Sequence, residues 1–185
     1  EDQKGWLVPT GAGWPALLPL VFRMSNAQMN TNRASCESAI RLLKDLIYIL
    51  QKEVVGAQAE LGTVIQSAFT CEEMKVRVAA FLLVCEIVET VEKKEWAPLL
   101  ATGTMLNTIL EQLAQAANEE ALNECLQALT SVAAVEPDFF KQNLASSMQP
   151  AKFMSQIIKT REGVDAGIRG LCLEWLPPPP GGGRI

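Results

Sequence analysis

The chain has 185 residues, 49% hydrophobic and 20% charged, with a formal net charge of −5 and no histidine. That apolar fraction excludes a disordered chain, and an acidic balance without a basic cluster argues against a nucleic-acid binder, whose phosphate contacts need concentrated Lys and Arg. Lacking histidine, the chain also lacks the usual general base and a common metal ligand, so neither enzyme activity nor a cofactor is expected.

Taken in chain order, the sequence reads as helix almost throughout. Good helix formers fill the segments, and the alternating β-branched runs of strands are missing. After the break at Pro9 to Gly13, a leading helix is expected over about 15–26, kinked by Pro19, followed by a long apolar helix from near Arg33. Gly56 and Gly62 read as breaks around a second leading helix over 57–69; Thr70 to Glu72 then separates it from a helix opening near Met74. Within this helix Val78 to Cys85 is the longest uninterrupted apolar run, eight residues. It is far short of the roughly 20 a membrane span needs, and being apolar all round it predicts a helix covered on several sides. A third leading helix over 96–117, interrupted at Gly103, precedes a helix from near Glu119. Pro137 then opens a fourth pair, 138–159 with its own Pro150, a break at Gly163 and a helix from Val164. Pro177 to Gly183, four prolines and three glycines, can neither continue a helix nor pack a core.

These helices form a repeat. Ala39, Ala80 and Cys125 correspond, as do Leu43, Val84 and Leu129, and Leu46, Ile87 and Val132, at offsets of 41 and 45 residues. Paired helices recurring at about 40–47 residues indicate HEAT or armadillo repeats. The fold expected is therefore all-α, an α-α superhelix or HEAT-repeat solenoid of about four helix pairs over 14–176. Its pairs fall at about 14–55, 56–94, 95–136 and 137–176, with an extension at 1–13 and a Pro/Gly-rich tail at 177–185.

Five cysteines lie far apart with no CxxC pair, and the N-terminus shows no basic region followed by an apolar one. Both features predict a reduced, intracellular protein whose thiols act as small core hydrophobes. The acidic pairs Glu72-Glu73 and Glu119-Glu120 fit helix first turns, and Glu92 and Glu95 lie beside lysines. No phosphate-cradling glycine loop occurs. Trp14 and Trp96 sit in the related strings Trp-Pro-Ala-Leu-Leu and Trp-Ala-Pro-Leu-Leu and are expected to open leading helices and pack on the repeat before. Trp175 ends the last helix, and one of Phe139 and Phe140 is expected in the core.

A stack of repeats aligns equivalent positions into rows. On the helix from Arg33, polar residues recur at steps of three and four, and the offsets extend them into three rows. These are Arg41, Leu82 and Gln127; Asp45, Glu86 and Ser131; Tyr48, Glu89 and Ala134. They are expected to line a concave protein-binding face, Asp45, Glu86 and Glu89 attracting basic partners and Leu82 and Tyr48 giving apolar contact.

The string Trp14-Pro15-x-Leu17-Leu18-Pro19 resembles the start of an early HEAT repeat in importin-β-type nuclear transport receptors. Met74 to Ala80, Glu119 to Leu126 and Gly163 to Leu176 resemble second, or B, helices of the same family. The resemblance covers about 14–176 and is greatest to the N-terminal third of one such receptor. It implies binding of basic cargo and of GTP-bound Ran on the concave B-helix face, and of Phe-Gly nucleoporin repeats in apolar pockets between outer helices. It also implies shuttling between cytoplasm and nucleus, while the acidic balance and the short apolar runs predict no direct contact with nucleic acid and no membrane partner. Exposed end repeats suggest self-association. The competing expectation is a HEAT scaffold subunit of a phosphatase or chromosome-organising complex, which shares the fold but binds folded subunits.

Overall fold

Three helices of 17 residues each, Arg33–Ile49, Met74–Thr90 and Glu119–Val135, begin at the positions where the repeat reading places them. They belong to a computed structural model that describes residues 16–96, 103–115, 118–136 and 139. In order the described elements are α1 (Leu17–Ser25), α2 (Arg33–Ile49), α3 (Gln51–Gly56), α4 (Gln58–Phe69), α5 (Met74–Thr90), α6 (Lys93–Trp96), α7 (Gly103–Gln115) and α8 (Glu119–Val135). Among the described residues every regular element is a helix, and no helix is long and apolar enough to cross a membrane. The fourth expected pair, the tail, Trp14, Trp175, Phe140, Pro150 and Cys172 lie outside the described residues.

Local chemistry sets the helix starts. The Asn32 side-chain oxygen accepts from the Ser35 amide at 3.1 Å, and that of Asn118 from the Ala121 amide at 3.2 Å. Each satisfies one of the amides left unpaired at a helix N-terminus. Glu119 and Glu120 occupy the first turn of α8, where the helix dipole favours carboxylates. Glu92 pairs instead with Lys94 at 2.7 Å, and that hydrogen bond holds its carboxyl below the usual range.

Two sequence expectations fail locally. Pro19 does not remove a helical bond: it is the third residue of α1, and the first bond runs from the Leu20 amide to the Ala16 carbonyl at 3.1 Å. An amide at Pro19 would have had no helical partner, so the ring is accommodated without cost. Gly62 is no break either. It lies inside α4, where a Cβ would meet nothing within 4 Å. The actual interruption falls at Ala57, which joins α3 to α4.

The chain divides into two units at Leu83/Val84, within α5. In the first, α1 packs on α2 and α4, and α3 bridges α2 and α4. In the second, α7 packs on α8. The run from Val78 to Cys85 is buried throughout, Leu82 being its most exposed member at 7%. Apolar residues on every side of a helix leave it stable only when all sides are covered, and burying each large side chain contributes about 1.5–3 kcal/mol. Of the nine corresponding repeat positions, eight are buried and Leu46 is half-buried.

Cys36, Cys71, Cys85 and Cys125 are free, buried thiols. Burial raises the Cys36 thiol, and raises Cys85 well above its ordinary value with help from Cys125, Glu89 and Glu86. The neutral thiol therefore packs as a small hydrophobe. Trp96 lies on α6 and packs edge-on against Phe139 with ring centroids 5.6 Å apart. Both rings are 1% exposed.

Candidate protein-binding surfaces

The first unit carries a groove of about 560 Å³ between its two leading helices, α1 and α4. Phe22 and Val64, both buried, contribute to its lining, with Leu18 and Pro19 on α1 and the small side chains Ala57 and Ala59 at the start of α4. Arg23 and Glu60, one from each helix, also line it. A concave, mostly apolar site with few polar groups at this scale suits a bulky apolar side chain and its neighbours.

The turn after α1 fixes the groove's shape. The Asn26 side-chain oxygen accepts from the Gln28 amide at 2.9 Å and the Met29 amide at 3.3 Å, a local bond that ends α1 in a tight turn. The Arg33 guanidinium donates to the Ala27 carbonyl at 2.6 Å and to that of Asn30 at 3.0 Å. Across the unit, the buried Ala27 amide donates to the Ser67 hydroxyl at 3.1 Å, while that hydroxyl donates to the Val64 carbonyl at 3.0 Å. Ser67 therefore ties the turn to α4 and satisfies an amide that burial would otherwise penalise. Met29, 71% exposed on this turn, supplies a flexible apolar contact at the groove's edge.

The residues expected on the B-helix face are placed unit by unit. On α2, Tyr48 is 80% exposed. Asp45 is also exposed and meets Lys44 at 3.1 Å, whereas Arg41 is half-buried and donates to Glu37 at 3.0 Å. Leu82 is buried, so the apolar contact expected of it does not lie at the surface; α5 is covered where α2 is open. In the second unit the Ser131 hydroxyl on α8 donates to Glu89 on α5 at 2.8 Å, joining members of two expected rows. Glu86 accepts from Thr90 at 3.2 Å; Gln127 is exposed and donates to Asn123 at 3.5 Å. The structure thus brings Glu89 and Ser131 into contact within one unit.

The resemblance implied apolar pockets between outer helices, but sequence reasoning assigned no residues to one. The signal for the groove was Asn26, a turn former directly after the apolar helix α1. Among the described residues no group of three metal-ligating side chains gathers.

Compared with known proteins, residues 7–149 match the family described as IPO5-like, TPR repeats. No curated protein and no solved structure gives a match. The helix starts at Arg33, Met74 and Glu119 lie 41 and 45 residues apart, longer than the 34-residue TPR period and within the HEAT and armadillo range of about 40–47.

Proposed function

The chain belongs to the IPO5-like, TPR-repeat family, and from that premise we propose that it serves an importin-type receptor, binding Phe-Gly nucleoporin repeats and basic cargo while shuttling between cytoplasm and nucleus. The observation that carries this reading is the apolar groove between α1 and α4. Its volume of about 560 Å³ and apolar lining suit a phenylalanine ring, and the small residues Ala57 and Ala59 suit a glycine-flanked backbone. Beads bearing a Phe-Gly repeat peptide are expected to retain the chain, and beads bearing the Phe→Ser peptide are not. Equal retention by both would remove the reading.

Basic cargo and GTP-bound Ran are assigned to the exposed faces of the B helices. Arg41, Asp45 and Tyr48 offer contacts on α2, and Glu86, Glu89, Gln127 and Ser131 on α5 and α8. The net charge of −5 favours encounter with basic segments. Reversing two carboxylates by Glu86→Lys with Glu89→Lys is expected to weaken a lysine-rich peptide at low salt by about tenfold, each exposed pair contributing up to about 1 kcal/mol. Isothermal titration reads the change; an unaltered affinity would clear the second unit's acidic face of this role.

A further inference from the structure

The groove's two charges are unspent. Arg23 on α1 and Glu60 on α4 are both exposed, both line the groove, and neither engages in a hydrogen bond or ion pair among the described residues. A cation and an anion on different helices of one apolar groove, unjoined to each other, give the site an electrical direction. An uncharged ligand would use the apolar lining and leave that direction idle.

We propose that Arg23 and Glu60 make the groove selective for an extended peptide whose bulky apolar residue is flanked by opposite charges, the acidic flank meeting Arg23 and the basic flank Glu60. This rests on the groove binding a Phe-Gly-type segment and adds which segments it prefers and that one order of charges is favoured over the other. The complementary order gains two attractions and the reversed order meets two repulsions, so electrostatic complementarity sets specificity here more than affinity. Like-charged flanks gain one contact and lose the other.

The test titrates the full chain with four peptides sharing one Phe-Gly core and carrying Glu/Lys, Lys/Glu, Ser/Ser or Lys/Lys flanks, read by NMR chemical shifts. One of the two opposite-charge orders is expected to bind about fivefold more tightly than the other, as exposed pairs of this strength allow. The double exchange Arg23→Glu with Glu60→Arg is expected to invert that preference. In the unsubstituted chain the difference should shrink in high salt, because exposed charges are screened over about 10 Å at 0.1 M. Equal affinity for all four peptides would overturn the selectivity while leaving the groove reading standing. A preference that survives the exchange would overturn it too. Failure of the Ser/Ser peptide to bind, with no shifts from any other, would remove the groove reading itself.

Discussion

Replacing Phe81 by alanine is expected to destabilise the chain by about 3–5 kcal/mol, the cost of emptying a large aromatic site in a core that cannot fully collapse. Phe81 is 0% exposed at the centre of the apolar run of α5, with Val78, Ala80, Val84 and Cys85 buried around it in sequence. Against a total stability of about 5–15 kcal/mol for an ordinary domain, one such loss is a large share. The effect should appear as a lower urea midpoint, compared with Tyr48→Ala at an exposed position of α2, which should stay within about 0.5 kcal/mol of the parent. Comparable losses for the two would mean that α5 is not the covered helix its burial indicates.

The second large effect concerns binding. Ala59 is exposed and lines the groove at the start of α4, its backbone carbonyl accepting from the Thr63 hydroxyl at 2.8 Å. Ala59→Trp keeps that backbone contact and puts an indole into the mouth. Affinity for a Phe-Gly peptide is expected to fall by tenfold or more, about 1.4 kcal/mol, with the melting temperature little changed. Retained affinity in the folded variant would place the peptide elsewhere.

Helix existence was legible because it depends on local composition and on hydrophobic spacing. The starts of α2, α5 and α8 and the burial of Val78 to Cys85 follow directly from such patterns. What the sequence did not reveal depended on finer or more distant facts. Pro19 is harmless only because it sits at the third residue of α1, and helix boundaries are the least legible feature. Gly62 is tolerated because tertiary packing outweighs the roughly 1 kcal/mol of helix propensity it costs. Leu82 shares its repeat position with the half-buried Arg41 and the exposed Gln127, yet is covered: periodicity fixes a residue's angle on its helix, while burial depends on what packs there. The groove was hidden for a further reason. Its shape depends on the Ala27–Ser67 hydrogen bond across 40 residues, which no helical period encodes. Capping by Asn32 and Asn118 is local by contrast, and its residue type is visible in the sequence.

The most direct measurement is an NMR titration of the isotopically labelled chain with a Phe-Gly repeat peptide, using the Ser-Gly peptide as reference. Saturable shifts for Phe22, Ala59, Thr63 and Val64 with the first peptide and none with the second are the expected result. Absence of shifts, or shifts confined to α8, would contradict a receptor that takes nucleoporin phenylalanines between α1 and α4.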